Sequence, residues 1–326
     1  MDPGAQAPPL SRRTEFEAID RWLDLLRTGS EDILVPAGDD AAWLSVNAPI
    51  AMSVDRMEEG VHFRREWCAP EDLGWKALAS ALSDLASTRA RPVGFLTTLS
   101  LSPSDFDNPD WIDGVVRGMA AAAEAFDAGP VLGGDTVRSI SGLGVGVTVV
   151  GVGEDGIAPL LRSGARAGDL VQLSGDCGWA ALCLTKLMEG GAEAAAQLSQ
   201  EAQLAWRRPR PRLDLRRTLA NATAGIDVSD GLLADAEHLS RASDVRLVLN
   251  RDACVSSGLR RAAGPDLAET LALGGGEDYQ LLITAPQVLD GFVTIGHVES
   301  GTGLAWGNSE PIDLQLWQGW DHGSTV

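Results

Sequence analysis

The stretch Ala37-Gly38-Asp39-Asp40-Ala41-Ala42 places two aspartates in a glycine turn between apolar runs. Four later stretches repeat this kind of element: Ser53-Val54-Asp55, Leu82-Ser83-Asp84-Leu85, Gly133-Gly134-Asp135-Thr136 and Asp227-Val228-Ser229-Asp230-Gly231. Each puts an aspartate near glycine, serine or threonine at the edge of a hydrophobic segment, as folds do when they present hard oxygen ligands. Five such stretches predict one site that is shared by distant parts of the chain.

The composition is that of an ordinary globular protein with a strong negative charge. The chain has 326 residues, of which 44% are hydrophobic and 22% charged, and this length allows two domains that each bury a core. The formal net charge of −20 repels phosphate backbones and anionic lipids, which argues against nucleic acid or a membrane surface as a partner. If the substrate is itself an anion, cations must accompany it.

The sequence indicates a cytoplasmic protein. No apolar run reaches the roughly 18 residues that a membrane span needs. Residues 1–13 are rich in proline and alanine and lack the apolar core of a secretory signal, so they are predicted to form a disordered leader. The cysteines at positions 68, 177, 183 and 254 form no C-x-x-C pair, which favours reduced, mostly buried thiols.

Hydrophobic periodicity predicts two successive α/β segments with a boundary at Gly153-Glu154-Asp155-Gly156, hence an N-terminal domain at 14–153 and a C-terminal domain at 154–326. Helices are predicted at 14–28, 70–89, 111–128, 179–188, 192–206, 213–221, 231–243 and 267–273. Strands are predicted at 33–35, 41–46, 49–54, 92–101, 142–153, 170–173, 224–228, 245–249, 279–284 and 292–298. The glycine-rich strand at 142–153 is expected to lie close to another backbone or to a ligand. The basic stretch 207–212 is interpreted as a salt-bridged linker or as a second anion contact.

The usual nucleotide and hydrolase motifs are missing. Residues 151–156 fit G-x-G-x-x-G by count, but Pro159 follows, and acids stand where a pyrophosphate would lie. There is no P-loop, no protein-kinase motif set and no G-x-S-x-G. The aspartates together favour a multi-metal site that binds polyphosphate through magnesium, although each one alone could be a helix cap or a turn residue.

Three further features are candidate substrate contacts. His62 follows an acidic turn, and Arg162 lies beside a glycine turn and suits a phosphate oxygen. Gly274-Gly275-Gly276-Glu277-Asp278-Tyr279 is a triple-glycine loop that leads into a strand. A structural histidine and a flexible turn remain the alternatives for the first and the last of these.

These motifs together resemble those of the thiamine-monophosphate kinase family, in the superfamily of aminoimidazole ribonucleotide synthetase and selenophosphate synthetase. They follow one another in the family's order and cover the chain from about residue 14 to Asp321. The matching stretches are G-D-D-A-A at 38–42, S-V-D-x-x-x-E-G-V-H-F at 53–63, L-S-D-L-A at 82–86, G-G-D-T at 133–136, R-S-G-A at 162–165, D-V-S-D-G-L at 227–232 and G-G-G-E-D-Y at 274–279.

The resemblance implies an α/β (α+β) fold of two domains like that of aminoimidazole ribonucleotide synthetase, with the N-terminal sheet pairing with a second subunit in a homodimer. It implies several magnesium ions, on Asp40, Asp55, Asp84, Asp135, Asp227 and Asp230. It places ATP near Ser53, Gly134, Asp135, Arg162 and Ser229, and thiamine monophosphate near His62, Glu277 and Trp320. Val54 stands where the family often has threonine, so only a backbone contact is expected there.

The reaction that the resemblance implies is direct in-line transfer of the ATP γ-phosphate to thiamine monophosphate, giving thiamine diphosphate. The acceptor is a phosphate oxygen that is already largely ionised near neutral pH, since the second pKa of a phosphate monoester is about 6. Neither a general base nor a covalent nucleophile is therefore expected. The alternatives are another ATP-dependent activating enzyme of the superfamily, or a non-catalytic module that binds nucleotide and metal.

Overall fold

A computed structural model describes residues 12–26, 31–37, 41–107, 109–153 and 158–314. The predicted site residues Asp40 and Trp320 lie outside these ranges. So do residues 1–11 of the predicted leader and most of the predicted domain boundary. Within the described ranges the chain forms a four-stranded sheet, a six-stranded sheet and a two-stranded ribbon. The mixed α/β fold predicted from the sequence is confirmed.

The first part of the chain builds the four-stranded sheet, whose order is β3-β6-β4-β5. Only the β4–β5 pair is parallel. The elements are α1 (Arg12–Leu26), β1 (Ile33–Val35), β2 (Trp43–Leu44), β3 (Ile50–Glu58), α2 (Pro70–Thr88), β4 (Arg91–Leu101), α3 (Pro103–Asp107), α4 (Pro109–Phe126), β5 (Val131–Arg138) and β6 (Gly144–Val152).

Helix α2 is the central element of this part. It begins at Pro70, whose fixed φ suits the first helical position, and its last residue, Thr88, is followed by Arg89 in the left-handed conformation. It packs closely on α4, because a Cβ on Gly118 would lie 2.0 Å from the Glu71 carbonyl oxygen. Its buried leucines join Leu99 of β4 and the valines of β6 in the core, so one face of the sheet is covered.

Gly144 and Gly146 of β6 have a different role from the predicted one, whereas Gly151 does lie close to another backbone, since a Cβ there would be 3.1 Å from the Arg91 carbonyl oxygen. Cβ atoms on Gly144 and Gly146 would lie 2.4 Å from the side chains of Arg56 and Thr98, respectively. The glycines therefore leave room for the side chains of the neighbouring strands β3 and β4, where the sequence led us to expect a close backbone or a ligand.

The second part of the chain builds the six-stranded sheet, in the order β12-β9-β11-β7-β10-β8, with only β9 and β12 parallel. Two short 3-10 helices occupy Leu213–Leu215 and Thr218–Asn221. The other elements are β7 (Leu170–Leu173), α5 (Trp179–Ala195), α6 (Gln200–Arg207), β8 (Ala224–Val228), α7 (Leu232–Ser243), β9 (Arg246–Leu249), α8 (Ser257–Ala263), α9 (Pro265–Gly274), β10 (Gln280–Ala285), β11 (Val293–Glu299) and β12 (Gly303–Trp306).

Two of the predicted helices are wrong. The predicted helix 192–206 is divided between α5, which continues past a break at Gly190 and Gly191, and α6, which begins after the Ser199 cap. The predicted helix 213–221 consists of the two 3-10 helices. The sequence analysis also missed α3, α8, β5 and β12, which are short or rich in glycine.

The two parts of the chain are held together around α2. The backbone carbonyl of Pro209 accepts a hydrogen bond from Trp75 Nε1 at 3.0 Å, and Arg208 forms an ion pair with Asp72 at 2.6 Å. Arg212 pairs with Asp214 at 3.1 Å. The basic stretch is therefore a salt-bridged linker, as one of the two interpretations predicted.

The helices and the cysteines of the described residues complete the description of the fold. No helix there is both long and apolar enough to cross a membrane. All four cysteines are unpaired, and three of them are buried.

Candidate active site

The predicted residues of β3 and α2 meet on the covered face of the four-stranded sheet. Side chains alternate along a strand, so Ser53 and Asp55 of β3 share this face, on which α2 packs. The Ser53 hydroxyl donates a hydrogen bond to Asp84 Oδ2 at 2.5 Å. Two stretches that are about thirty residues apart in sequence thus form one polar surface.

A cavity of about 440 Å³, which we call the cleft, lies between this surface and the second part of the chain. Seven residues that the sequence predicts for the site line it, namely Asp55, His62, Asp84, Asp227, Ser229, Asp230 and Glu277. The structure therefore brings together predicted residues from four separate stretches.

The aspartates from the second part follow strand β8. Asp227 lies within β8, and Ser229 and Asp230 lie in the turn between this strand and α7. The turn is fixed by Asp235 of α7, whose Oδ2 accepts the backbone N–H groups of Ser229 at 3.0 Å and of Asp230 at 3.1 Å. The sequence analysis missed Asp235. Its signal was an acidic residue in the first turn of the helix that follows the motif.

The cleft concentrates negative charge. Burial, with the charges of Asp84 and Asp230, raises the pKa of Asp55 to about 6. Burial and the charge of Asp84 raise the pKa of Asp227 to about 7, with a further contribution from Asp55 and an opposing one from Ser83. Ionised carboxylates here repel one another, so cations are needed to make the charged state favourable.

The donor set fits magnesium. Carboxylate oxygen is the ligand that Mg²⁺ prefers, and the ion usually keeps several waters and takes one or two carboxylates together with substrate phosphates. Among the described residues, no three acidic, histidine or cysteine side chains are close enough to form a complete metal cage. Spaced aspartates around a cavity suit ions that are shared with a polyphosphate.

His62 is held in a defined orientation at the rim of the cleft. Its Nδ1 accepts a hydrogen bond from the Glu58 backbone N–H at 3.1 Å, so the neutral ring carries its proton on Nε2. The surrounding turn is fixed by Arg65, which donates to both oxygens of Glu59 at 2.8 and 2.9 Å and pairs with buried Asp105 at 2.6 Å.

The triple-glycine loop is fixed to the aspartate-bearing turn, which contradicts the flexible-turn interpretation. The Glu277 N–H donates to the Ser229 carbonyl at 2.7 Å, and the Tyr279 N–H donates to the Val228 carbonyl at 2.8 Å. Both Glu277 and Tyr279 have positive φ angles, +64° and +50°, which are unusual for residues with a Cβ. These bonds set the position of Glu277 at the cleft.

Helix α2 supplies two polar residues that the sequence analysis missed. Lys76 and Ser80 precede Asp84 by eight and four residues, so all three share one face of the helix. Ser80 lines the cleft, and Lys76 Nζ lies 2.7 Å from Glu277 Oε1. A charged residue in an otherwise apolar helical stretch was the signal for Lys76.

Asp135 and Gly134 do not line the cleft. In the strand register Gly134 is aligned with Thr97 and, through β6, with Asp55, whereas Asp135 is aligned with Thr98. Since side chains alternate along β5, Asp135 projects from the opposite face of the sheet. Its side chain is exposed there.

Arg162 also lies apart from the cleft. It is exposed, and the neighbouring Leu161 carbonyl accepts a hydrogen bond from the Gly225 N–H at 2.9 Å. This contact places the Arg162 segment beside the beginning of β8, whereas Ser229 and Asp230 follow the end of that strand.

Comparison with known proteins agrees with the motifs. Residues 38–153 match the family model described as AIR synthase related protein, N-terminal domain. The thiamine-monophosphate kinase of Escherichia coli (strain K12) is 32% identical over 333 residues, which cover 95% of this chain and 98% of that protein.

Solved structures give the same result. The crystal structure of thiamine-monophosphate kinase from Stenotrophomonas maltophilia K279a has a TM-score of 0.79 and 35% identity, and the match covers 91% of this chain and 98% of that one. The structure of AaThiL complexed with AMPPCP and TMP has a TM-score of 0.75 and 30% identity, over 98% of this chain and 100% of that one. The chain belongs to the thiamine-monophosphate kinase family.

Proposed function

We propose that this protein transfers the γ-phosphate of ATP to thiamine monophosphate and so forms thiamine diphosphate. Family membership supports this activity, as does the relative that was solved with AMPPCP and TMP. The observation that carries the proposal is the convergence of four aspartates on one cleft, namely Asp55, Asp84, Asp227 and Asp230. Such a cleft can hold anionic substrates only together with cations.

For this reaction the protein has to position the two substrates and neutralise the charge of their phosphate groups, and little else is needed. Because the acceptor phosphate is largely ionised near neutral pH, a general base is not needed, and we propose direct in-line transfer without a phosphoenzyme. Magnesium held by the four aspartates would neutralise the negative charge of the two phosphate groups. The chain's own contribution is to keep these carboxylates apart and oriented, through Ser53 at Asp84 and Asp235 at the β8–α7 turn.

His62 and Glu277 are proposed to bind thiamine monophosphate. His62, whose Nδ1 accepts from the Glu58 N–H, lines the cleft, where its ring can contact the substrate. Glu277 offers a carboxylate acceptor at the cleft, and Trp67 and Leu184 supply apolar surface to its lining. Trp320 completes the proposed set, although it lies outside the described residues.

The proposed homodimer is supported by the exposed face of β3. Ile50, Met52 and Val54 are 57%, 64% and 66% exposed, and β3 forms an edge of the four-stranded sheet in the described part of the chain. An edge strand with a row of exposed apolar side chains is suited to pairing with another chain.

Asp135 and Gly134 of β5 belong to the same sheet. For them and for Arg162, the proposed metal and ATP contacts rest on the family pattern.

An assay of ADP release tests the proposal. We expect release that depends on both thiamine monophosphate and Mg²⁺, and none when thiamine without its phosphate is the acceptor. ADP release without the thiamine compound would favour another ATP-dependent enzyme, and tight ATP binding without turnover would favour a non-catalytic module. A phosphoaspartate or phosphohistidine trapped on the active enzyme would contradict direct transfer.

A further inference from the structure

We infer that Lys76 is a positioning residue, which holds the Glu277 carboxylate in the orientation that binds the thiamine part of the substrate. The inference rests on the proposed function, because it concerns the substrate contact at Glu277. It identifies a residue of α2 that acts through its partner and does not itself line the cleft.

Lys76 is enclosed by two partners. Only 3% of its side chain is exposed, and Nζ lies 2.7 Å from Glu277 Oε1 and 4.2 Å from the centre of the Trp206 ring. Trp206 is itself buried. Within the described part of the chain, Nζ makes no hydrogen bond of standard geometry, so its charge is balanced by this carboxylate and by the aromatic ring.

A buried ion pair contributes little to the free energy of folding, since the desolvation of the ammonium group costs about as much as the attraction to the carboxylate provides. The pair does, however, fix the orientation of the Glu277 carboxylate. One oxygen of Glu277 is held by Lys76, while the side chain remains 26% exposed and lines the cleft. The other oxygen is therefore left to accept a hydrogen bond from a ligand.

The carboxylate is fixed from both parts of the chain. The backbone of Glu277 is tied to Ser229 in the second part, and its side chain is tied to Lys76 in the first. Lys76 is also on the face of α2 that carries Asp84, so the same helix orients the proposed metal ligand and the proposed substrate contact. A change in helix position would move both together.

The chemistry of this oxygen indicates which part of the substrate it meets. An ionised carboxylate repels a phosphate and attracts a cationic ring or an amino group. Thiamine carries both of these, whereas the polyphosphate of ATP is anionic. Loss of the Lys76–Glu277 ion pair, which we call the tether, should therefore weaken binding of thiamine monophosphate and leave ATP binding unchanged.

The sequence offers a matched control, because Lys76 and Lys186 are its only lysines. Lys186 pairs with Glu189 at 2.6 Å on the exposed side of α5, away from the cleft. We expect Lys76→Met to raise the KM for thiamine monophosphate about 10-fold or more, with less than about a twofold change in the KM for ATP. Lys186→Met should change neither, and Lys76→Arg should restore part of the loss by keeping the charge.

Binding without turnover separates this inference from the proposed function. Calorimetric titration of each variant with thiamine monophosphate in the presence of Mg²⁺ and without ATP should give the same loss of affinity as the kinetics. A wild-type protein without kinase activity would defeat the proposed function. An active wild type with unchanged affinity in Lys76→Met would defeat the inference.

A double-mutant cycle tests the tether itself. If Lys76 acts only through Glu277, the variant Lys76→Met/Glu277→Gln should bind thiamine monophosphate no more weakly than Glu277→Gln alone. Glu277→Gln should also lower the unfolding free energy more than Lys76→Met does, because it leaves a buried ammonium unpaired. Additive losses of affinity, or an equal rise in the KM for ATP, would show that Lys76 acts by another route.

Discussion

The two faces of the four-stranded sheet carry motif residues into different environments. On the face covered by α2, Ser53 donates a hydrogen bond to Asp84, and Asp55 and Asp84 line the cleft. On the opposite face, which we call the outer face, Met52, Val54 and Asp135 are exposed. A step of one residue along β3 or β5 changes the face. A motif therefore gives the type of ligand, but only the strand register shows where that ligand points.

The electrostatic states of the two faces differ accordingly. In the cleft, burial and mutual repulsion raise the pKa values of Asp55 and Asp227 to about 6 and about 7. Asp135 on the outer face is aligned with Thr98, and no acidic residue of the cleft is on its side of the sheet. The crowded carboxylates of the cleft favour bound cations, whereas the exposed apolar side chains of the outer face are suited to contact with another protein chain.

The largest expected effect is at the cleft. Asp84→Asn should lower turnover at least about 100-fold, since even a residue that only orients a metal ligand contributes 10- to 100-fold. The fold should persist, because Asn keeps the size of the side chain and can still accept the hydrogen bond from Ser53. Steady-state kinetics and circular dichroism measure the two quantities. Near-normal turnover would remove Asp84 from the site.

Asp135→Asn is the matched substitution on the outer face. We retain Asp135 in the proposed ligand set and expect a loss of turnover here as well. This expectation is the one most open to failure, because Asp135 does not line the cleft and the acidic residues that do include none from β5. A loss as large as that of Asp84→Asn would mean that the outer face supplies a ligand. Unchanged turnover would confine the metal site to the cleft.

The second largest expected effect is that of a substitution on the outer face on the oligomeric state. Met52→Asp should convert the proposed dimer into a monomer, because it places a charge in the row of exposed apolar side chains. Met188→Asp is the control, since Met188 has a similar exposure, 70% against 64%, but lies on α5. Light scattering after size exclusion measures the mass. A dimer that survives Met52→Asp would place the interface elsewhere, and dissociation by both variants would show a non-specific effect of charge.

The features that could be predicted from the sequence are the helices, strands and motifs that depend on a local pattern of residues. The helices at α2 and α7 and the strand β8 were found within one or two residues, because their apolar periodicity and their glycine and proline boundaries are local. The motif residues around Asp55, Asp84 and Asp227 were predicted to share a site, and they do line one cleft.

The residues that the sequence could not supply depend on contacts between distant segments. Lys76 and Glu277 are about two hundred positions apart, and no periodicity links them. Asp235 contacts its own motif, but it looks like an ordinary acidic residue in the first turn of a helix. The outward position of Asp135 depends on the register between β4 and β5, which a bulge near Phe95 shifts. Such shifts leave no trace in the composition of a strand.

The smallest expected effect comes from a buried acid behind the cleft. Burial raises the pKa of Asp278 to about 8 from an ordinary value of 3.8, although hydrogen bonds from the backbone N–H groups of Gly178 and Ala180 oppose the rise. Between about pH 4 and pH 8 the folded protein therefore keeps a proton that the unfolded chain has lost. The unfolding free energy must then fall as the pH rises through this window, by up to about 1.4 kcal/mol per pH unit from this group.

Asp278→Asn isolates that contribution. The amide has no proton to lose in this range, and its oxygen can still accept the hydrogen bond from the Gly178 N–H, which is 2.8 Å long in the native protein. Urea unfolding at pH 5.5, 6.5 and 7.5 should therefore give a flatter pH dependence for this variant than for the wild type. Asp252→Asn, at an exposed aspartate paired with Arg260, should keep the wild-type slope.

Equal slopes for the wild type and Asp278→Asn would mean that Asp278 is ionised when buried. Burial would then fail to raise the pKa of Asp227 as well, since Asp227 is 5% exposed and Asp278 is 7% exposed, and the electrostatic contrast between the two faces would be lost.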